Sequence, residues 1–313
     1  MQPTKEITLN MEYLAARKLL LPELENVILV LIGCGGTGSW LAPHIVRYAR
    51  LLNEKFDRDV QVTFIDPDKV EAKNVYRQNF AECEIGMFKA DALAFRYGLA
   101  WGIQIGAVHT RFSASMSLPQ VNHNTTGLTV FIGCVDNTPA RREIAQRMEG
   151  YRNNREICLW LDAGNKKTVG QVLLGTETVK DNPLLFDGVC TWLPLPSQQH
   201  PELIQIDDDG EDDQPEDATL SCAELAMRGS QSLSINCRMA AAAGEMLGKA
   251  LLTNDLEYYA TYIDQATGET RKFITADAIQ GFLDKKPETT SANDEALDDT
   301  EWQDEDIDEG EDE

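Results

Sequence analysis

The sequence lacks any continuous apolar run near the roughly 20 residues that a membrane-spanning helix requires, and its first residues lack the apolar stretch of a secretory leader. Both absences lead us to expect a soluble, cytoplasmic protein with no membrane partner. A disulfide framework is missing too, because the seven cysteines are odd in number and irregularly spaced, as in a reducing compartment. Basic excess is absent: 28 Lys and Arg stand against 52 Asp and Glu, a formal charge of −24. That balance argues against a nucleic-acid partner. No internal repeat is present.

The acidic charge is placed unevenly. Residues 207–217 hold 8 acids and no base, and residues 287–313 hold 14 acids and no base. Without those 22, 30 acids face 28 bases, so the rest of the chain has a net charge of only −2. The final segment, 287–313, shows no apolar periodicity and is expected to be disordered. It serves either solubility or docking to a basic partner. The stretch at about 205–218 falls inside the folded region and is expected to form a mobile loop, since Gly, Pro and eight acids cannot pack.

What the chain does contain is strand-like runs ending in polar residues. Residues 27–32 (V-I-L-V-L-I) are apolar throughout, as in a strand covered on both faces. Gly33, Gly35, Gly36 and Gly38 follow, permitting a sharp turn with no Cβ against a phosphate. Thr37 and Ser39 are placed to cap the helix continuing through Trp40, Leu41 and Ile45, and a helix N-terminus is an anion site. A second strand over 60–65 ends on Asp66, where an acid can accept hydrogen bonds from ribose hydroxyls. A third over 128–132 leads through Gly133-Cys134-Val135 to Asp136 on the same sheet edge. Asp136 suits a hard cation such as Mg²⁺, or caps the helix beginning near Pro139, and the two roles are compatible.

Further strands are expected over 157–162 and 169–175, helices over 8–21, 88–101 and 234–252, and a hairpin within 257–274. The fold class that follows is α/β: a doubly wound, mostly parallel sheet closed by a C-terminal helix and hairpin. Gly33, Gly35 and Gly38 also satisfy G-x-G-x-x-G, so an NAD(P)-dependent oxidoreductase fits the glycine loop equally well. Asn74, Arg77, Gln78 and Lys89 separate the two readings. Each alone is as readily a surface charge or a helix cap. In order behind a glycine turn they form what a cleaved triphosphate needs, cations that offset developing charge.

At these residues the chain resembles the ThiF/MoeB and ubiquitin-activating enzyme superfamily. The resemblance rests on the glycine loop, on D-x-D-x-V-x-x-x-N-x-x-R-Q from Asp66 to Gln78, on I-G-x-x-K from Ile85 to Lys89, and on V-D-N-x-x-x-R from Val135 to Arg141. It extends over about 24–252. It implies that the loop and the acids Asp66 and Asp68 hold ATP, with Asn74 and Gln78 as supporting contacts. It implies that Arg77 and Lys89 contact phosphates and that Asp136 supports Mg²⁺ and adenylate formation. The domain division that goes with it is an N-terminal helical segment (1–23), an adenylation domain (24–286) and the acidic tail (287–313). The implied reaction is ATP-dependent adenylation of the C-terminal carboxylate of a small ubiquitin-like or sulfur-carrier protein, by a homodimer.

Two features of the resemblance bear on the cysteines. Many relatives carry two C-x-x-C pairs for zinc, whereas this chain offers only Cys190-Thr191-Trp192-Leu193 at the first place, so no zinc is expected. Many relatives pass the acyl group to a cysteine. Cys222, in T-L-S-C-A-E ahead of the last long helix, resembles their T-C-x-E-A segment and is the first candidate. Cys190 is the second, and adenylation without a thioester is the alternative. Cys34, Cys134, Cys158 and Cys237 read as packing residues. Arg17 is the counterpart of an N-terminal arginine that reaches the ATP site in relatives, or else a solvated helical charge. The missing zinc pairs and the acidic segments look most like ThiF-related proteins of bacterial PRTRC-type cassettes, which implies a conjugating-enzyme-like protein as a further partner. A non-catalytic scaffold retaining the nucleotide fold is the remaining alternative.

Overall fold

The computed structural model describes residues 11–121, 125–149, 156–177, 182–205 and 234–284. Both acidic stretches and Cys222 lie outside the described residues. In chain order the elements are β1 (Lys18–Leu19), β2 (Asn26–Ile32), α1 (Gly36–Phe56), β3 (Asp59–Ile65), α2 (Lys89–Trp101), β4 (Ile105–Val108), β5 (Gly127–Gly133) and α3 (Thr138–Glu149). They continue with β6 (Glu156–Asn165), β7 (Val169–Thr176), β8 (Val189–Cys190), α4 (Pro196–Gln199), α5 (Ile235–Gly248), β9 (Tyr258–Asp264), β10 (Gly268–Phe273) and α6 (Ala276–Leu283).

The main sheet has eight strands in the order β10-β9-β7-β6-β5-β2-β3-β4. β4, β3, β2, β5 and β6 run parallel, and β7, β9 and β10 extend the sheet antiparallel. This is the α/β, mostly parallel architecture that the sequence implies. β2 and β5 sit at its centre, which is why both are apolar at nearly every position.

Alternation along the strands divides the core in two. Leu29 and Leu31 of β2, with Val130 and Ile132 of β5, face α1, α2 and α5 and meet Leu41, Ile45, Leu93 and Met239. Ile28, Val30 and Ile32, with Phe131 and Trp160, face α3 and meet Ile144, Ala145 and Met148. The two faces thus come from the period of two in a strand. No helix among the described residues is long and apolar enough to cross a membrane.

α5 lies against α1 through small residues, as its Ala-rich sequence implies. Tyr48 donates its hydroxyl hydrogen to the Gly244 carbonyl at 2.9 Å, and a Cβ on Gly244 would stand 3.0 Å from the His44 ring. α5 continues into a π-helical turn over Lys249–Thr253 that ends on Asn254 at φ 51. On the outer side Arg271 of β10 donates to Glu245 at 2.8 Å and lies 4.3 Å over the Tyr258 ring, fastening the hairpin to α5.

The amphipathic helix expected over 8–21 does not form in the described part. A 3₁₀ turn covers Glu12–Ala15, and the chain then runs extended through β1, which pairs in parallel with β8. Leu19 and Leu21 are buried while Leu20 between them is exposed, a strand period rather than a helical one. The backbone finds partners outside its own segment: Arg17 N–H donates to the Ile274 carbonyl, Leu19 N–H to Leu256 and Leu20 N–H to Cys190. Tertiary hydrogen bonds replace the local helical ones, and they carry Leu19 and Leu21 into the main core.

Because α1 and α5 meet through glycine, a branched side chain at Gly244 has no room. Gly244→Val should destabilise the protein by about 1–3 kcal/mol. The test is a lowered urea midpoint at unchanged denaturant slope.

Candidate active site

Register brings the site together. Ile32 of β2 is paired with Ile65 of β3 and with Gly133 of β5, so the residues that follow each strand emerge side by side on one sheet edge. These are the glycine loop, Asp66 and the turn carrying Asp136. Such an edge, at the carboxyl ends of parallel strands, is where open α/β sheets bind ligands.

Two of the four loop glycines are required by space. Gly33 has φ +89, and a Cβ there would lie 2.6 Å from the Cys134 carbonyl oxygen. A Cβ on Gly38 would lie 1.9 Å from the Gly33 carbonyl oxygen, so α1 approaches the end of β2 as closely as backbone permits. Gly35 and Gly36 place the polar neighbours of the loop: Gln78 Nε2 lies 3.8 Å from a Cβ built on Gly35, and the Asn236 amide 2.9 Å from one on Gly36.

Thr37 and Ser39 do not cap α1, which begins after Gly35 without a side-chain cap. Thr37 instead donates to Asn165 Oδ1 at 3.0 Å, and Ser39 donates to the Gly36 carbonyl at 3.1 Å. Among the described residues no side-chain oxygen caps the first turn, which leaves that end of α1 suited to an anion.

Asp66 is buried at the end of β3. Its Oδ2 accepts from the Cys34 N–H at 2.6 Å and its Oδ1 from the Asp68 N–H at 2.8 Å. Burial raises this carboxyl above its ordinary pKa, while the nearby Lys89 ammonium and the two backbone bonds pull it back. Each oxygen keeps a second lone pair for a hydroxyl.

Lys89 opens α2, an end of a helix where the dipole disfavours a cation. The side chain is nonetheless buried, and its Nζ donates to Asp68 Oδ2 at 2.9 Å. An antiparallel bridge between Lys69 and Phe88 returns the chain to this place after the long excursion through residues 71–87.

That excursion carries Asn74, Arg77 and Gln78. Asn74 is buried and spends its side chain on the turn, its Oδ1 accepting from the Glu71 N–H at 2.8 Å. The Asn74 carbonyl then accepts from the Gln78 N–H at 2.8 Å and from the Arg77 N–H at 3.1 Å. Asn74 therefore shapes the segment that bears the next two residues. Arg77 Nε and Gln78 Oε1 are buried and find no hydrogen-bond partner among the described residues. Polar atoms left unsatisfied on this turn are available to a polar ligand.

Asp136 is exposed past the end of β5, and its Oδ1 accepts from Asn137 Nδ2 at 3.1 Å. It does not cap α3. Asn137 does so, its Oδ1 accepting from the Ala140 N–H at 3.0 Å. The turn is held by Arg141, whose Nη2 donates to the Val135 carbonyl at 2.7 Å and whose Nε donates to Asp162 Oδ1 at 3.0 Å. Asp162 is fully buried. Burial raises its pKa and Arg141 opposes that rise. Among the described residues no three of His, Cys, Asp and Glu gather as they would for a resident metal. A lone carboxylate fits a cation such as Mg²⁺ that takes its other ligands from phosphate and water.

Four residues of the site escaped the sequence reading: Asn236, Asn165, Asn79 and Asp162. Asn236 Nδ2 donates to the Arg77 carbonyl at 3.4 Å, from the first turn of α5. An Asn within an otherwise Ala-rich helix is a poor helix former, and that is the one local signal it gave. Arg17, by contrast, is engaged near β8. It donates to the Phe186 carbonyl at 2.9 Å and pairs with Asp187 at 3.5 Å.

The described cysteines other than Cys83 are enclosed wholly or in part. Burial pushes Cys190 up, and its thiol donates to the Trp192 carbonyl at 2.9 Å, a setting adverse to nucleophilic attack. Burial likewise raises Cys34, Cys134 and Cys237. Treating the folded protein with iodoacetamide at neutral pH should alkylate Cys83 and leave Cys190 intact by mass spectrometry. Equal labelling of the two would contradict the burial.

Arg141→Met would leave Asp162 without its cation and should destabilise the protein by about 3–5 kcal/mol. The native carboxyl is already raised and rises further in the variant. Its proton is therefore held more tightly folded than unfolded, and the loss should shrink as pH falls toward the ordinary carboxylate range near about 4. Urea unfolding at neutral and acidic pH tests the sign.

Comparison with known proteins places this site in a family. A model of the ThiF family matches residues 10–187. Among solved structures, selenomethionine PaaA aligns at a TM-score of 0.46 and 16% identity, over 80% of this chain and 65% of that one. E. coli MccB aligns at 0.49 and 14%, over 80% of this chain and 63% of that one. MccB with AMPCPP and selenomethionine MccA aligns at 0.46 and 12%, over 80% and 65%. The chain thus spans just under two-thirds of the length of these structures, and at such scores the likeness carries no functional argument. No curated protein matches in sequence. The family match takes in more than half of the chain, including the glycine loop, Asp66, Arg77, Lys89 and Asp136, and the chain belongs to the ThiF family.

Proposed function

We propose that the chain activates the C-terminal carboxylate of a small ubiquitin-like or sulfur-carrier protein by ATP-dependent adenylation. The observation that carries this reading is the turn bearing Arg77 and Gln78, with Gln78 Nε2 beside Gly35 and Arg77 Nε without a hydrogen-bond partner among the described residues, together with buried Lys89 and Asp66 at the same sheet edge. A nicotinamide cofactor needs no such cations, since backbone N–H groups suffice for its pyrophosphate. A triphosphate undergoing cleavage does need them.

In this reading the first-turn N–H groups of α1 bind phosphate oxygens and Asp66 accepts from the ribose hydroxyls. A carboxylate oxygen of the partner attacks the α-phosphorus, the bond to the bridging oxygen breaks, and pyrophosphate leaves with the electron pair. Arg77 and Lys89 offset charge on the phosphates during that displacement. When bound, Mg²⁺ would neutralise phosphate charge, and Asp136 is the side chain placed to hold it. The product is an acyl-adenylate.

A second step assigns Cys222 as acyl acceptor: its thiolate attacks the acyl carbon, a thioester forms and AMP leaves. Support comes from the T-L-S-C-A-E segment, which resembles the family's T-C-x-E-A, and chain length permits the approach. Asn236 sits against Gly36 and the Arg77 carbonyl, and Cys222 lies 14 residues before it. A span of that length extends to about 50 Å at most, enough to bring the sulfur to the α-phosphate. We further assign a homodimer on the family resemblance, a cytoplasmic place on the cysteine usage and the lack of long apolar runs, and membership of the PRTRC-type group with a conjugating-enzyme-like partner on the acidic segments and missing zinc pairs.

Thermal unfolding tests the core of the proposal. Mg·ATP at a hundred times its dissociation constant should stabilise the protein by about 2.7 kcal/mol. The gain should be lost in Arg77→Ala, Lys89→Ala and Asp136→Ala, and ATP–pyrophosphate exchange should appear once the carrier protein is added. Stabilisation by NAD or NADP alone would overturn the proposal in favour of an oxidoreductase. Carrier-dependent function that survives Lys89→Ala would leave only a scaffold.

A further inference from the structure

The phosphate-side residues stand on three separate segments: the glycine loop at the start of α1, the turn bearing Arg77 and Gln78, and the first turn of α2 bearing Lys89. Nothing in the backbone ladder of the sheet fixes these three relative to one another. Asn236 ties Gly36 to the Arg77 carbonyl from α5, and Asn79 bonds to both α1 and α2 from within the turn itself. Asn79 donates its backbone N–H to Ser39 Oγ at 2.9 Å and its Nδ2 to the Ser39 carbonyl at 3.2 Å, which ties the turn to α1. Ser39 is fully buried and passes the link on, its hydroxyl donating to the Gly36 carbonyl at 3.1 Å.

The same Nδ2 donates to the Tyr97 hydroxyl on α2 at 2.8 Å. From α2 as well, Arg96 Nη2 donates to the Asn79 carbonyl at 2.6 Å and Nη1 to its Oδ1 at 3.5 Å. Arg96 is held in turn by Glu84, with Nε 3.1 Å from Oε1, while Glu84 Oε2 accepts from the Ala81 N–H at 2.7 Å. Both hydrogens of the Asn79 amide, its oxygen, and both backbone polar groups are thus engaged, and they join the turn to α1 and to the helix α2 that begins at Lys89.

We infer that Asn79 is a positioning residue that joins the glycine loop, Arg77 and Lys89 into one rigid phosphate-binding frame. The inference rests on the adenylation reading above. Asn79 touches neither the ribose-side acid nor the sheet edge holding it, since Asp66 is fixed by Cys34, Asp68 and the end of β4. Its effect should therefore fall on the β- and γ-phosphates and leave the nucleoside end alone. Replacing the amide by a methyl group keeps the backbone bonds to Ser39 and Arg96, so the fold itself has little reason to fail.

The experiment compares binding of Mg·ATP and of AMP to the full chain and to Asn79→Ala, alongside exchange kinetics. The expected result is ATP affinity lower by about tenfold and kcat lower by about ten- to a hundredfold, with AMP affinity unchanged, since small misplacements of catalytic cations act on rate. Tyr97→Phe removes one of the partners without disturbing the core and should move the ATP-to-AMP ratio the same way, by a smaller factor. An unchanged ratio in both variants, whether neither affinity falls or both fall together with the melting temperature, overturns the inference. Wild-type protein that binds neither nucleotide would overturn the adenylation reading instead, so the two failures are distinguishable.

Discussion

A Cβ on Gly38 would lie 1.9 Å from the Gly33 carbonyl oxygen. With no side chain at either position, α1 starts against the end of β2. The helix axis, the direction of its free N–H groups and the depth of the anion site all follow from that approach. The rest of the architecture answers to it. α5 must fit beside α1, and does so through Gly244 and Gly248. β5 must lie beside β2, and the Cys134 carbonyl then takes the space that a side chain on Gly33 would need. The positive φ at Gly33 is the backbone form of the same constraint.

Charge is arranged in two tiers around that edge. The outer tier, Arg77, Asp68 and Asp136, is open or half-open. The inner tier is buried: Arg141 with Asp162, and Lys89 beside Asp66. Removing charges from water is expensive, and a buried pair is retained where its geometry performs a task. Here Arg141 holds the turn that carries Asp136 by bonding the Val135 carbonyl. Asp66 holds the glycine loop by accepting from the Cys34 N–H. Arg141 thus fixes the backbone of the turn that bears exposed Asp136, and Asp66 fixes that of the turn bearing exposed Asp68.

Where sequence and structure diverge, the cause is competition for backbone hydrogen bonds. The N-terminal segment has the composition of an amphipathic helix, yet Ile274, Leu256 and Cys190 offer carbonyls that an extended chain can reach. Thr37 and Ser39 are good capping residues by type, yet Asn165 and Asn79 draw their hydroxyls into tertiary contacts. Asp136 is an able cap as well, but Asn137 is one residue nearer the α3 start and takes the role. In each case local preference was sound and a distant partner outweighed it.

The sequence by itself determined the parallel sheet, because apolar runs such as 27–32 and 128–132 cannot be exposed on either face. It also pointed to the candidate site residues, because Gly33, Asp66, Arg77, Lys89 and Asp136 lie at strand ends or in short motifs whose spacing is local. Only the tertiary structure decided how those residues are held. Asn236 meets Arg77 across 159 positions, Thr37 meets Asn165 across 128, and Asn79 joins α1 to α2 through hydroxyls of Ser39 and Tyr97. Such bonds depend on which elements pack side by side and in what register. A linear spacing carries no trace of that, since a polar side chain looks alike in sequence whether it faces water or closes a buried contact.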